Sequence, residues 1–333
     1  MPGNDKKKVP YVRLGNSGLK VSKIILGTMQ YGSTEWQPWL LGEEEAIKHI
    51  KAAYDAGIQT FDTANVYSNG LSEIILGKAI KQLQLPRDEI VVMTKLFGTV
   101  ARDFGTNFVH NGLNPDEHGY INQHGLSRKH IFESVKHSLE RLQLDYIDLF
   151  QCHRFDPFTP IEETAGMQAL HDVVQAGYVR YIGMSSCFAW QFHAMQNYAI
   201  NNRLTPFISM QNHYSLVYRE EEREMFPTLK HFSVGSIPWS PLARGLLTRP
   251  LADQSKRGET DCVEEVAKKK GVSMAQVSVA WVLAKEGVSA AIIGTTNLKN
   301  LDDIIGGVHI TLSEEEIHHL EEPYKPQNVL GHS

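Results

Sequence analysis

Residues 146–153 read Tyr146-Ile147-Asp148-Leu149-Phe150-Gln151-Cys152-His153. The run is strand-length and nearly continuously apolar, and it ends on a titratable side chain. A parallel strand buried on both faces reads this way. Seven more runs share the pattern: Lys23–Gly27, Gln59–Asp62, Ile90–Lys95, Tyr181–Ser185, Phe207–Gln211, Ser236–Trp239 and Ala290–Gly294. Helical periodicity fills the gaps. Ala46, Ile47, Ile50, Ala53 and Tyr54 share one face of a helix that Gly57 can end. Ile131, Val135, Leu139 and Leu142 form the next clear stripe. Met167, Leu170, Val173 and Val174 follow, stopped by Gly177, and Val277, Ala280, Trp281 and Ala284 precede Gly287.

Eight strands alternating with helices predict an α/β protein with right-handed crossovers, and the count favours a closed (β/α)8 TIM barrel over an open sheet. Such a barrel needs about 250 residues, so residues 1–333 are expected to form a single barrel domain, with a core from about 11 to 322 and mobile tails. Tyr11–Ser22 carries Leu14-Gly15-Asn16-Ser17-Gly18-Leu19 between short apolar stretches, which predicts an N-terminal β-hairpin able to plug the barrel bottom. Phe97–Gly125, after the third barrel strand, is rich in Gly, Asn and His and too long for an ordinary connection. It would lie at the C-terminal face, where barrel active sites form, and reads as a substrate lid. The tail from Pro323 is short and polar.

Hydrophobic residues make up 42% and charged residues 21% of the chain, enough for a large core and against global disorder. The net charge of −5 offers no general surface for nucleic acid or membrane. An anionic cofactor would need a local basic pocket. Cys152, Cys187 and Cys262 are far apart and form no CxxC, so neither a zinc ribbon nor a disulfide framework is expected. No apolar run follows the N-terminal lysines, so Met1–Pro10 does not read as a signal peptide. A cytoplasmic enzyme fits best.

Four polar groups follow apolar strands: Asp62, Tyr67 in the loop just beyond it, Lys95 and His153. Taken singly, each has a plain structural explanation, such as a cap, a solvated lysine or a satisfied histidine. Together, at converging strand ends, their chemistry is complementary. A phenol with a pKa near 10 is a poor acid unless a nearby ammonium stabilises the phenolate. A carboxylate keeps that ammonium charged and in place. An imidazole can orient a carbonyl oxygen. The set suits carbonyl reduction, with hydride from a nicotinamide and a proton from Tyr67.

At these residues the sequence resembles the aldo-keto reductases, roughly from Leu14 to Glu322. The carriers are Phe61-Asp62-Thr63-Ala64-Asn65-Val66-Tyr67-Ser68, Thr94-Lys95, Leu149-Phe150-Gln151-Cys152-His153, Gly183-Met184-Ser185-Ser186, Gln211-Asn212-His213-Tyr214 and Trp239-Ser240-Pro241-Leu242-Ala243-Arg244-Gly245. Their order and spacing together are specific. The resemblance implies Tyr67 as general acid/base, Lys95 and Asp62 as its tuning pair, and His153 as the group orienting substrate. It also implies an NADP(H) site. Ser185, Ser186 and Gln211 would hold the carboxamide, Trp239 would stack on the nicotinamide, and Ser240, Pro241, Leu242 and Arg244 would cover the pyrophosphate. Gly27, Thr28, Met29 and Asp62 belong to the same expected contact set. Arg249, Lys256 and Arg257 could pair with phosphates. Gly294, Thr295, Thr296, Lys299 and Asn300 resemble the 2′-phosphate site, at a strand-to-helix turn that aims amides at an anion. Many relatives carry Arg at 297, Gln or Arg at 300, and Asn at 304, where this chain has Asn297, Asn300 and Ile304. These departures leave room for NAD(H).

The branch resembled includes fungal and bacterial aryl-alcohol dehydrogenases, which implies a small carbonyl substrate, aromatic or bulky. A monomer is the plainer expectation. Other chemistries fit less well. Gly27-Thr28-Met29-Gln30-Tyr31-Gly32 is not a GxGxxG turn, Gly183-Met184-Ser185-Ser186-Cys187 lacks the closing glycine of a hydrolase elbow, and no metal-ligand spacing occurs. The runner-up is a cofactor-binding regulatory protein, because Gly125-Leu126-Ser127-Arg128-Lys129-His130 and Pro160-Ile161-Glu162-Glu163-Thr164 resemble potassium-channel β subunits. Those proteins carry Asn where this chain has His153, which favours an enzyme.

Overall fold

The computed structural model describes residues 9–108, 110–161, 167–250 and 261–332. Lys256, Arg257, Glu162, Glu163 and Thr164 lie outside these residues. A short antiparallel hairpin comes first, β1 (Tyr11–Arg13) and β2 (Lys20–Ser22). Eight parallel strands follow: β3 (Ile24–Gly27), β4 (Thr60–Asp62), β5 (Val91–Leu96), β6 (Ile147–Cys152), β7 (Val179–Ser185), β8 (Phe207–Gln211), β9 (Gly235–Ser236) and β10 (Ala291–Ile293). They pair in chain order, and β10 pairs back onto β3. Parallel bridges Ser236↔Val288 and Trp239↔Ile292 join β9 to the β10 side and close the barrel.

Helices α1 (Glu43–Asp55), α2 (Leu71–Gln82), α3 (Arg128–Leu142), α4 (Met167–Gln175), α5 (Ala189–Asn201) and α6 (Met225–Phe232) link successive strands. α7 (Cys262–Lys270) and α8 (Met274–Ala284) lie between β9 and β10, and α9 (Leu298–Ile305) and α10 (Glu314–Glu321) complete the ring. None is long and apolar enough to cross a membrane. The fold is the expected (β/α)8 barrel with an N-terminal hairpin and a long loop after the third barrel strand.

The eight strands fall within two residues of their expected starts. The run Ser236–Trp239 is shorter as a ladder than its hydrophobicity suggests, because Pro238 has no N–H to donate. Hydrogen bonds continue around it: Ile237 N donates to Met210 O (2.9 Å), Trp239 N to Asn212 O (3.0 Å), and Pro238 O accepts from Ile292 N (3.0 Å).

The period of two along each strand sorts the core. Ile24, Leu26, Phe61, Val92 and Phe150 face the helices, while Ile25, Val91, Met93, Leu149, Ile237 and Ile292 fill the barrel interior. Leu14 of the hairpin is buried in that interior cluster, so the hairpin does plug the bottom. The fit is tight. A Cβ on Gly15 would stand 2.5 Å from Gly235 N, and Gly15 sits at φ +56°, so glycine is required there on both counts.

At the opposite end, Phe97–Gly125 closes on itself, with Gly125 N donating to Phe97 O (2.8 Å). Ala101, Phe108 and Tyr120 form a small cluster of their own, with Phe108 and Tyr120 edge-on at 4.9 Å. The loop is tied to the turn carrying Tyr67 through Asn69. Asn69 accepts from Ala101 N (3.1 Å) and donates to Asp103 O (2.8 Å) and Thr106 O (2.6 Å). Asn69 itself is left-handed (φ 51°). Asn69→Gly keeps that backbone comfortable but deletes all three bonds. It should lower stability by about 1–3 kcal/mol and speed limited proteolysis within 101–125. Unchanged cleavage would mean that the loop is held elsewhere.

Candidate active site

Strand parity delivers the site. In β5, Lys95 follows Val91 and Met93 on the inward face, while Thr94 points out to Glu73 of α2 (2.6 Å). Asp62 ends β4 and Gln211 ends β8, and all three side chains are buried. Lys95 Nζ donates to Asp62 Oδ2 (2.5 Å), Thr63 O (2.8 Å) and Tyr67 OH (3.3 Å). An ammonium has three N–H groups, so its capacity is spent. Asp62 Oδ1 accepts from Gln151 Nε2 (3.1 Å) and Gln211 Nε2 (3.0 Å), and Gln211 Nε2 also reaches Gln151 Oε1 (3.0 Å).

A charge pair this deep is tolerated because every donor and every carboxylate oxygen is engaged. Burial works to lower the pKa of Lys95. The charges of Asp62 and Tyr67 outweigh it, and the amine is held above its ordinary value. It stays protonated.

Two groups at the rim are not spent. Tyr67 OH accepts from Lys95, and its own hydrogen has no acceptor among the described residues. The His153 ring packs edge-on against Tyr67 (centroids 5.8 Å apart) and its nitrogens make no hydrogen bond among the described residues. Burial, then Lys95, then Arg154 push the His153 pKa well below 6.5. The imidazole is therefore neutral at physiological pH, with one N–H to donate to a ligand oxygen. The arrangement offers a phenol backed by a fixed ammonium, and a neutral imidazole beside it.

The expected cofactor residues surround this core. Ser185 Oγ donates to Gln211 O (2.7 Å) and Ser186 N to Asn212 Oδ1 (2.8 Å). Because Gln211 Nε2 is committed, only its Oε1 remains to accept from a ligand amide. Trp239 Nε1 donates to Ser186 Oγ (3.2 Å), and His213 stacks on one face of the indole (4.4 Å, 12°), so a ligand ring can stack only on the other. Beyond it, Ser240, Ala243, Arg244 and Gly245 all have positive φ, a run that turns backbone amides to one side as anion-binding nests do. Pro241 and Leu242 are buried beneath it; Arg244 and Arg249 are exposed without an ion pair among the described residues.

Thr28 is buried and bonded to Asp62 O (N 2.9 Å), Gly27 O accepts from Gln30 Nε2 (2.7 Å), and Met29 is exposed. Gly294, Thr296, Lys299 and Asn300 are exposed and Thr295 half-buried at the start of α9, where Asn297 Oδ1 caps Lys299 N (2.8 Å). These residues fit a dinucleotide: an amide acceptor, an aromatic face, a nest and cations unpaired among the described residues lie along successive strand ends.

Three contributors escaped the sequence reading. Gln151 is a polar residue inside an apolar run, and parity alone, two places before His153, would have found it. Arg154 follows His153 directly. Asn212 links Ser186 to Glu221, which pairs with His332 (2.9 Å) of the C-terminal segment. That segment also meets the β8 exit where Leu330 N donates to Tyr218 OH (2.9 Å) and His332 packs edge-on against Phe188 (4.9 Å).

Comparison with known proteins agrees with the fold. The family model of the aldo/keto reductase family matches residues 23–325. A versiconal hemiacetal acetate reductase from Aspergillus parasiticus is 46% identical, covering 96% of this chain and 98% of its own length. A Schizosaccharomyces pombe protein whose name puts it among the aryl-alcohol dehydrogenases is 48% identical over 96% of this chain and 97% of its own. An aldo-keto reductase from Fusarium vanettenii is 45% identical over 98% of this chain and 94% of its own. The family match identifies an oxidoreductase of the carbonyl-reducing kind. The chain belongs to the aldo/keto reductase family.

Proposed function

We propose that this protein is an NADP(H)-dependent reductase of aldehydes or ketones, aromatic or bulky, in which Tyr67 donates the proton. The observation that carries this reading is the exhausted hydrogen bonding of Lys95 and Asp62, which leaves the Tyr67 O–H and the His153 ring as the groups free to meet a substrate oxygen. The nicotinamide, when bound, supplies hydride. His153 orients the carbonyl through its N–H. Tyr67 hands its proton to the oxygen as negative charge develops there, and Lys95, locked by Asp62, stabilises the phenolate left behind.

The dinucleotide would lie from Ser185, Ser186 and Gln211, over Trp239, along 240–245 with Arg244 and Arg249 near its phosphates, to the start of α9. Arg244, Arg249 and Lys299, which have no acidic partner among the described residues, support a 2′-phosphate there. Asn297 and Asn300, being neutral, leave NAD(H) as a second cofactor. The buried thiols of Cys152, pushed up to about 12, and Cys187, pushed well above the ordinary thiol value by burial, suit a reducing compartment, in line with a cytoplasmic, monomeric, single-domain enzyme.

A panel of aromatic and aliphatic aldehydes and ketones assayed with NADPH and with NADH tests the proposal. Turnover is expected, with NADPH giving the higher kcat/KM. Cofactor binding without turnover of any carbonyl would instead favour a regulatory role like that of the channel subunits.

A further inference from the structure

Arg154 is a half-buried guanidinium with no acidic partner among the described residues. It emerges one residue after His153, at the end of β6. Its only hydrogen bond among the described residues runs from Nη1 to the carbonyl of His153 itself (2.7 Å). The acid nearest in sequence, Asp156, is committed elsewhere: it accepts from Leu126 N (2.7 Å), Thr159 Oγ1 (2.6 Å) and Phe158 N (3.0 Å). Arginines in comparable half-buried positions are paired, as Arg87 is with Asp148, Arg141 with Glu73, and Arg219 with Glu222 and Glu321. Arg154 is the exception among these, and it stands directly after His153, at the C-terminal end of β6.

The guanidinium, bonded to the His153 carbonyl, interacts electrostatically with both rim groups. Burial pulls the pKa of Arg154 below the ordinary arginine value, and Tyr67 opposes that pull. Arg154 is also among the charges that keep His153 neutral. A partly desolvated cation that lacks a counter-ion costs free energy unless a ligand supplies one. With the dinucleotide phosphates proposed on the far strands, at 240–245 and α9, an anionic group on the substrate can supply the counter-charge. The planar fork of arginine matches a carboxylate with two parallel hydrogen bonds. Phe155 and Phe158 follow at once, and Phe155 packs edge-on against Trp190 (6.1 Å), providing apolar surface next to the charge.

We infer that Arg154 is a specificity-determining residue that binds a carboxylate on the substrate, so that the preferred substrates are aromatic carbonyl compounds bearing a carboxylate group. This rests on the reductase reading above. Arg154 takes no part in the proton transfer. It holds the remote end of the molecule so that the carbonyl meets Tyr67 and His153.

The test compares benzaldehyde, 3- and 4-formylbenzoate and their methyl esters, with NADPH, in the wild type and in Arg154→Met and Arg154→Lys. In the wild type, at least one formylbenzoate should exceed its methyl ester in kcat/KM by about 10- to 100-fold, mainly through KM. The preference should shrink as ionic strength rises. Arg154→Met should raise KM for the formylbenzoate by a similar factor, so that its kcat/KM falls to that of its methyl ester. Arg154→Lys should retain part of the preference.

Turnover of benzaldehyde with no preference for either carboxylate in the wild type would overturn the inference and leave the reductase reading intact. An equal loss for charged and neutral aldehydes in Arg154→Met would also overturn it, by showing that Arg154 acts through His153 or the fold. The salt dependence of the wild type decides the matter if the variants do not fold. No turnover of any aldehyde would sink the reductase reading, and this inference with it.

Discussion

Tyr67→Phe is expected to lower kcat for aldehyde reduction by about 10²- to 10⁴-fold, with NADPH affinity unchanged. The expectation follows from what the substitution keeps. Phenylalanine retains the ring that packs against His153 and lies 5.0 Å from Lys95 Nζ. Lys95 loses only its longest hydrogen bond, at 3.3 Å, and keeps Asp62 and Thr63. The expected dinucleotide contacts on β7, β8 and beyond are untouched. Only the uncommitted O–H is removed, and with it the proton for the developing alkoxide. Fluorescence titration with NADPH and steady-state turnover on one aldehyde separate the two properties. A variant with near-wild-type kcat would show that another group is the acid, His153 being the first candidate. A variant that no longer binds NADPH would mean that the phenol holds cofactor rather than doing chemistry.

Why the four rim residues were legible while their supports were not has a physical basis. A buried parallel strand must be apolar on both faces, so an Asp, Lys or His at its end stands out against the largely apolar run before it. Asp62, Lys95 and His153 were visible for this reason, and Tyr67 by its distance from Asp62. Gln151 lies inside such a run, where one polar residue reads as noise unless inward and outward positions are counted separately. Once they are, Gln151 and His153 share a face, as do Met93 and Lys95. The barrel was readable from the alternation of runs, because each strand announces itself locally. The small cluster of Ala101, Phe108 and Tyr120 follows no period of two or 3.6, so the loop was recognisable only as a lack of pattern. The ties of the C-terminal segment join residues more than a hundred positions apart, as Leu330 to Tyr218 and His332 to Glu221 do, and nothing local in a polar tail signals them.

The second large effect is expected at Lys95, where activity and stability should separate across a pair of variants. Lys95→Met removes the cation from a site in which Asp62 is almost wholly buried. Gln151 and Gln211 still donate to Asp62 Oδ1, but Oδ2 loses its partner. A buried carboxylate stripped of its counter-charge costs about 3–5 kcal/mol, which urea unfolding would read as a lower midpoint at an unchanged slope. Turnover should fall on the order of 10²-fold, since no ammonium remains to stabilise the phenolate of Tyr67. Adding Asp62→Asn neutralises the stranded charge, so the double variant should regain much of the stability and none of the turnover. If it regains turnover, the pair does not assist Tyr67. If Lys95→Met is as stable as wild type, the carboxylate has taken up a proton or admitted water.

The wild type supplies an independent check through pH. The folded-state pKa of Lys95 is raised above the ordinary 10.5. Above 10.5 an unfolded chain releases this proton while the folded chain keeps it, so the stabilisation from Lys95 is fully present below 10.5 and lost as pH climbs through the folded value. That part of the alkaline loss should be missing from Lys95→Met and from the double variant alike, and its persistence in either would assign it to another group.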